Sequence, residues 1–137
     1  MTLMIDASVT VRLLANRPED GALREQIATT RSLHAPELID AEVASGIRGL
    51  LLGGKVYPTR AAEMVDDFTR LRIDRYPVAP VMHRVLMLRY NLTAYDACYV
   101  VLAEGLGLPL FTLDAKLAGA AGHQAVVHVY APPEASN

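Results

Sequence analysis

Four acidic residues stand in settings where a carboxylate is costly to place: Asp6, Glu42, Asp96 and Asp114. Asp6 and Asp114 each end a short apolar run and precede an alanine, in the stretches LMIDA and FTLDA. Asp96 lies near the start of a helical segment that is apolar on every side, and Glu42 borders the apolar stripe of another. A carboxylate in apolar surroundings costs free energy unless a cation or hydrogen bonds compensate it. These four side chains are therefore the first candidates for chemistry.

If the four carboxylates converge, they form a site suited to a divalent cation. Like charges a few ångströms apart repel by several kcal/mol even at an effective dielectric constant of about 20, and a bound cation relieves that repulsion. Carboxylate oxygens with no cysteine or histidine nearby favour Mg²⁺ or Mn²⁺ over zinc. The residue types therefore predict a Mg²⁺ site that also accepts Mn²⁺.

Each acid also has a plainer explanation when it is taken alone. Thr93 and Asp96 match a capping box, in which Asp96 satisfies backbone N–H groups at a helix start. Asp6 and Asp114 are suited to N-cap the helices that follow them, and Glu42 alone reads as a surface acid. Caps do not need to converge on one place, so the joint occurrence of the four acids favours the metal site.

Short apolar runs alternate with helical patterns along the chain, which is typical of parallel βαβ units. We expect strands at residues 2–5, 32–35, 75–79, 108–113 and 125–130. We expect helices at residues 7–15, 21–31, 36–52, 59–73, 80–89, 94–104 and 116–121, the third of them with Pro36 at its first position. The pattern predicts an α/β fold, a short parallel central sheet flanked by helices on both faces.

This architecture explains how distant acids meet. Ligands of such sheets bind beyond the carboxyl ends of the strands, where Asp6 and Asp114 are expected. The helix that begins near Asp96 runs antiparallel to the strand before Asp114, so its start lies at the same edge. Glu42 joins the group if its side chain reaches into a cavity beside its glycine neighbours, and it stays apart if the side chain reaches solvent.

Composition bounds the class of protein. The chain has 137 residues, of which 52% are hydrophobic and 20% charged, and this excludes a disordered chain. We expect one domain over residues 1–131 and a flexible tail at 132–137. No apolar run approaches the roughly 18 residues of a membrane span, and a single cysteine, Cys98, fits a reducing cytoplasm. The formal net charge of −2 gives no overall sign of nucleic-acid binding but leaves room for a local one.

Two other classes of α/β protein are excluded by their motifs. A phospho-acceptor receiver domain has an adjacent acidic pair after its first strand, whereas here Asp6 is followed by Ala7 and Ser8. A dinucleotide-binding fold has G-x-G-x-x-G after its first strand. The only comparable glycines, Gly105 and Gly107, follow a helix and lack the third glycine.

Four stretches of the sequence resemble the PIN-domain ribonucleases, and among them most closely the VapC toxins of bacterial type II toxin–antitoxin modules. They are IDAS at 5–8, APELIDAEV at 35–43, LTAYDACYVVLAE at 92–104 and LPLFTLDAKL at 108–117. The stretches stand in the family's order and spacing, and the resemblance extends over nearly the whole chain. It implies the PIN-domain fold.

The resemblance also implies roles for individual residues. The family's acidic quartet falls on the four acids already singled out. Thr112 is implied to orient a carboxylate, and Ser8 to be a further polar support near the metal. Many relatives carry another acid where this chain has Lys116, so the site is compatible with either one or two metal ions. Lys116 and Arg12 are candidate phosphate contacts, among rim cations that also include Arg17, Arg48, Arg84 and Arg89.

The function implied by the resemblance is Mg²⁺-dependent endonucleolytic hydrolysis of RNA by the toxin of a toxin–antitoxin pair. Implied partners are the RNA substrate, a VapB-like antitoxin and a second copy of the chain in a homodimer. The homodimer is also favoured by an excess of apolar surface over what one small sheet can cover. That surface is the apolar stripe of residues 59–73 and the series Val81, Val85 and Leu88. Two alternatives remain, a PIN nuclease that is not a toxin and a catalytically silent interaction module of the same fold.

Overall fold

The computed structural model describes residues 1–133, which form one α/β layer structure. A single sheet contains five parallel strands in the order β3-β2-β1-β4-β5. The strands are β1 (Thr2–Ile5), β2 (Ser32–Pro36), β3 (Ile73–Tyr76), β4 (Leu110–Thr112) and β5 (Val127–Val129). The helices are α1 (Ala7–Ala15), α2 (Gly21–Ala28), α3 (Ile39–Leu52), α4 (Pro58–Arg70), α5 (Met82–Met87), α6 (Ala94–Leu106) and α7 (Ala115–Gly119), with 3₁₀ turns at Pro18–Asp20 and Ala79–Val81.

Helices cover both faces of the sheet, as predicted. Successive strand side chains point to opposite faces, and β1 shows this directly. Leu3 and Ile5 are buried in a core with side chains of α1, α2, α3 and α4. Met4, between them, is buried in a second core with side chains of α5, α6 and α7.

The order of the strands places a crevice between β1 and β4. From β1 the chain builds outwards through β2 to β3, then returns across the sheet to β4 and continues outwards to β5. The connections therefore leave β1 and β4 in opposite directions, and ligands of open α/β sheets bind at such a switch point, beyond the carboxyl ends of the strands. Asp6 and Asp114 follow the two strands that border it.

Several predicted boundaries are wrong, and Pro36 is the most informative case. It ends β2, in register with Tyr76 of β3, instead of opening a helix, and α3 begins at Ile39. Ile73 was expected to end a helix, but it begins β3 beside Leu33. In both cases the pairing of neighbouring strands overrides a local signal.

Other differences are small. The helix expected at 21–31 ends at Ala28, and the one expected at 80–89 is a 3₁₀ turn followed by α5. Of the expected tail, 132–137, residues 134–137 lie outside the described part of the chain. No helix among residues 1–133 combines the length and apolar character needed to cross a membrane.

Candidate functional site

Asp6 is both a helix cap and a buried carboxylate at the switch point. Only 7% of it is exposed. Its Oδ1 accepts hydrogen bonds from the Ser8 hydroxyl (2.7 Å) and the backbone N–H of Val9 (3.1 Å), which caps α1. Its Oδ2 accepts one from the Thr112 hydroxyl. Three donors from α1 and β4 thus fix the orientation of the carboxylate.

The charge of Asp6 is disfavoured despite these donors. Burial raises the pKa of Asp6, the three hydrogen bonds offset part of that effect, and the charge of Asp96 raises the pKa further. No Arg, Lys or His within residues 1–133 forms an ion pair with Asp6. The carboxylate therefore lacks a counter-charge from the described chain.

Asp114 and Asp96 also start helices, and both are half-buried. Asp114 caps α7 by accepting a hydrogen bond from the backbone N–H of Lys116 (2.9 Å). The hydroxyl of Thr93 accepts a hydrogen bond from the backbone N–H of Asp96 (3.1 Å) at the start of α6. Burial raises the pKa of Asp96, and the charge of Asp114 raises it further. The capping explanation therefore holds for Asp114, whereas at α6 the cap is Thr93 and no described backbone N–H donates to the Asp96 carboxylate. Asp96 and Asp114 are also electrostatic neighbours.

Thr112 joins the two sides of the crevice. Besides donating to Asp6, its Oγ1 accepts the backbone N–H of Asp114 (3.0 Å) and lies 3.5 Å from the Ser8 hydroxyl. Ser8 in turn accepts the backbone N–H of Leu113 (3.1 Å). The two hydroxyls therefore connect the start of α1 to the segment that follows β4.

Glu42 turns towards the other acids rather than to solvent alone. Burial raises the pKa of Glu42, and the charges of Asp96 and Asp6 raise it further. Its Oε1 accepts a hydrogen bond from the hydroxyl of Tyr99 (2.6 Å), a residue of α6 that is 2% exposed. Burial and this hydrogen bond raise the pKa of Tyr99 well above its usual value, so it stays a donor.

Sequence reasoning missed Tyr99, although a signal was present. Tyr99 is the polar-tipped residue of an otherwise apolar run in α6, and it follows Asp96 by three positions. Side chains three apart in a helix lie on the same face. A buried tyrosine usually has a hydrogen-bond partner. Because Tyr99 lies one turn from Asp96, its partner could be expected among the other site acids, and it is Glu42.

The acids fit a hydrated divalent cation better than a closed cage. Within residues 1–133, no three His, Cys, Asp or Glu side chains come close enough to hold one ion directly. Mg²⁺ keeps several waters and is commonly held by one or two carboxylates together with substrate phosphates. An all-oxygen set of mutually repelling acids that lack cationic partners has the chemistry for that mode of binding.

The cations predicted around the rim divide into two groups. Arg12 is not available to phosphate, because its guanidinium forms a two-point ion pair with the buried Asp20 (2.5 and 3.2 Å). Arg84 is likewise held by Glu104 (2.7 Å). Lys116 is exposed on α7, two residues after Asp114, and forms no ion pair in the described chain. Of the two named phosphate candidates, Lys116 alone retains that role.

The sequence matches the family model described as PIN domain over residues 3–122. The chain belongs to the PIN-domain family. The match takes in all four acids and ends before β5.

Among characterised proteins, this PIN domain is similar to VapC ribonucleases of Mycobacterium tuberculosis. It is 40% identical to ribonuclease VapC9 over 115 residues, covering 84% of the chain and 87% of the relative. It is 34% identical to ribonuclease VapC12 over 129 residues, covering 94% of the chain and 99% of the relative. The predicted membership of the VapC group is confirmed by these relatives.

Solved structures confirm the predicted fold. PAE2754 from Pyrobaculum aerophilum superposes with a TM-score of 0.67 at 23% identity, covering 93% of this PIN domain and 83% of that chain. VapBC2 from Rickettsia felis, bound to a DNA fragment from its promoter, superposes with a TM-score of 0.67 at 13% identity, covering 96% of this PIN domain and 100% of that chain.

Proposed function

We propose that this PIN domain is a divalent-metal-dependent endoribonuclease that hydrolyses RNA phosphodiester bonds and acts as the toxin of a toxin–antitoxin pair. The observation that carries the proposal is the group of four acids at the β1–β4 crevice, three of them with pKa values raised by burial and mutual repulsion. The relatives named as VapC ribonucleases support the same activity.

In this proposal the acids bind and orient the reacting groups. Asp6, Asp96 and Asp114 would hold one or two Mg²⁺ ions, directly or through bound water, and Glu42 would be either a further ligand or the group that positions the attacking water. The bound metal supplies the Lewis acid that lowers the pKa of water and stabilises charge on the phosphate. Ser8 and Thr112 keep Asp6 in place during the reaction, as hydrogen-bonding partners of ligating carboxylates do.

Lys116 guides the RNA in this proposal. Four carboxylates repel a phosphate backbone, so a cation near the site is needed to favour its approach. Lys116 is exposed and close in sequence to Asp114, at the edge of the crevice. Mn²⁺ is expected to replace Mg²⁺, because the same oxygen ligands suit both ions.

The direct test compares Asp6→Ala with a matched acidic control. Asp40 lies on α3 two residues before Glu42 and is exposed in an ion pair with Arg75 (2.8 Å), so Asp40→Ala removes an acid outside the group. Wild type and Asp40→Ala are expected to cleave RNA with Mg²⁺ and to stop when EDTA is added. Asp6→Ala is expected to lose cleavage while remaining folded.

The same variants separate the toxin from its alternatives. Wild-type expression is expected to arrest growth, and Asp6→Ala is expected to relieve the arrest at equal expression. RNA cleavage without growth arrest indicates a nuclease that is not a toxin. Absence of both cleavage and divalent binding in the wild type indicates a catalytically silent interaction module. Persistent toxicity of Asp6→Ala shows that the acids do not carry the activity.

The proposed inhibitor is a VapB-like antitoxin with an arginine and an apolar helix. The arginine pairs with the site carboxylates in the place of the metal. The helix lies in an apolar groove of about 370 Å³ between α3 and α4, lined by Asp40, Val43, Ala44, Ile47, Val65, Phe68, Thr69 and Arg75. Inhibition is expected to weaken as Mg²⁺ rises, because both compete for the same oxygens. Co-expression of the antitoxin is expected to rescue growth.

The proposed homodimer rests on residues other than those predicted. Val85 and Leu88 are buried within the protomer, as are Met64 and Phe68 of the α4 stripe. A different set of large apolar side chains is exposed on α5, on the segment between α5 and α6, and in the first turn of α6: Met82, Leu86, Met87, Tyr90 and Tyr95. We place the two-fold interface on this set.

A further inference from the structure

Tyr99 connects two helices that each carry a site acid. Its ring is buried in the core formed by α5, α6 and α7, and its hydroxyl reaches Glu42 of α3. The contact is 2.6 Å long and joins residues 57 positions apart. A buried hydroxyl needs a hydrogen-bond partner, and here the partner is a carboxylate at the candidate site.

This contact determines how Glu42 presents its two oxygens. Oε1 accepts the hydroxyl of Tyr99, and no other hydrogen bond to the Glu42 side chain is formed by the described residues. Glu42 is half-buried, so packing alone does not immobilise its flexible side chain. A hydrogen bond to an ionised group is stronger than one between neutral groups. Tyr99 is therefore the group that fixes the rotamer of Glu42.

The position of Tyr99 on α6 adds a geometric constraint. Asp96 and Tyr99 are three residues apart on one helix face. The same rigid element thus carries one site acid directly and holds a second acid through a hydrogen bond. The relative placement of Asp96 and Glu42 depends on α6 rather than on a loop, which favours accurate positioning.

We infer that Tyr99 is a positioning residue that holds the Glu42 carboxylate in one orientation through Oε1. Oε2 has no hydrogen-bond partner among the described residues, so it is the oxygen that would contact a metal ion or a water. The inference rests on the proposed ribonuclease function and assigns to Glu42 a narrower role within it.

The first test is Tyr99→Phe, which removes the hydroxyl and keeps the ring that packs in the core. The kcat for RNA cleavage is expected to fall about 10- to 100-fold, with KM for RNA little changed. The affinity for Mn²⁺ without RNA, measured by calorimetry, is expected to fall about tenfold or more. Unchanged kcat and Mn²⁺ affinity would overturn the inference.

Tyr130→Phe is the matched control. The hydroxyl of Tyr130 also donates to a carboxylate, Oδ1 of Asp20 (2.7 Å), but Asp20 pairs with Arg12 and is not one of the four acids. The control is expected to lower the melting temperature and to keep the kcat and Mn²⁺ affinity of the wild type. A loss in the control equal to that in Tyr99→Phe would show that removing a tyrosine hydroxyl from any carboxylate has the same effect, contrary to the inference.

A double-mutant cycle with Glu42→Ala distinguishes positioning from packing. In the Glu42→Ala background Tyr99 has no carboxylate to hold, so Tyr99→Phe is expected to cause no further loss of Mn²⁺ affinity. An equal loss in both backgrounds refutes the inference alone, because the wild type still binds metal and cleaves RNA. A wild type that does neither refutes the proposed function, and with it the role of Tyr99.

Discussion

Thr112 donates its hydroxyl hydrogen bond to Asp6, although the two residues are 106 positions apart in the chain. The same oxygen accepts the backbone N–H of Asp114. One hydroxyl thus joins the residue that follows β1 to the segment that follows β4, and it does so at the crevice between the two strands.

We expect Thr112→Val to disturb the site more than the fold. Valine has nearly the same shape, but it leaves Asp6 with one donor fewer, which costs about 1–3 kcal/mol for a buried charged acceptor. Mn²⁺ affinity is expected to fall at least tenfold, as for other partners of ligating groups. Urea unfolding and calorimetry measure the two effects. Thr112→Ser retains the hydroxyl and is expected to keep the affinity of the wild type, so equal losses in both variants would contradict the assignment.

Mg²⁺ or Mn²⁺ is expected to raise the melting temperature of the wild type. The ion binds the folded state, and at 100 times its dissociation constant it stabilises that state by about 2.7 kcal/mol. Asp96→Asn is expected to abolish this increase without lowering the melting temperature of the metal-free protein, because it removes a repelling charge. An increase of the same size in Asp96→Asn would show that the ion binds elsewhere.

In the metal-free protein, the site acids are expected to stabilise the fold less as the pH rises. The pKa values of Asp6, Glu42 and Asp96 are raised above 3.8, 4.5 and 3.8, so the folded state holds protons that the unfolded state has lost. Their contribution to stability is complete below those values and is lost as pH rises through the raised pKa values.

The comparison of wild type with Asp96→Asn isolates this contribution from that of other carboxyls. Urea unfolding in EDTA between pH 4 and 7 is expected to show the advantage of the variant growing as pH rises. In excess Mg²⁺ at neutral pH, the wild type is expected to become more stable than Asp96→Asn. A difference that does not change with pH would mean that Asp96 titrates alike in the folded and unfolded states.

Arg12→Ala is expected to lower the free energy of unfolding by about 3 kcal/mol or more, because removing one partner of a buried ion pair leaves the other charge uncompensated. Burial opposes the charge of Asp20, but hydrogen bonds from Arg12 and Tyr130 outweigh it and hold the pKa of Asp20 below its usual value. Arg48→Ala, at an exposed position, is expected to change stability by no more than about 0.5 kcal/mol. If Arg12→Ala loses affinity for RNA while its free energy of unfolding is unchanged, Arg12 is a phosphate contact after all.

Light scattering is expected to give twice the 14.9 kDa mass of the chain at micromolar concentration. Leu86→Glu places a charge in the exposed apolar set on α5 and is expected to give a monomer. Leu52→Glu is the control, because Leu52 is also exposed but lies at the end of α3. A stable monomer of the wild type would count against the two-fold interface.

The features that could be predicted from the sequence are those determined by residues close together in the chain. The end of β1 at Asp6 and the buried character of α6 are both written in short runs of apolar residues, and both are found. The end of β2 at Pro36 depends on pairing with β3, some forty residues away along the chain. Local patterns do not contain that information.

The same distinction applies to the site. Asp6, Asp96 and Asp114 were identifiable because strand ends and helix starts mark them in the sequence, and Glu42 because it borders an apolar helical stripe. The partners of Arg12 and of Glu42 are Asp20 and Tyr99, and each contact depends on side chains that meet only after the elements pack. Residue type alone therefore assigned Arg12 to phosphate and left Tyr99 unnoticed.

The pairing of β1 with β4 has a consequence for the order in which the protein is synthesised. β1 pairs with β2 early in the chain, but its other neighbour, β4, begins at Leu110, so a growing chain has no crevice between β1 and β4 until that residue has emerged. A product that terminates before that point carries Asp6, Glu42 and Asp96 but has neither Thr112 nor Asp114. Under the proposed function, such a product is expected to lack ribonuclease activity, because part of the site is missing from it.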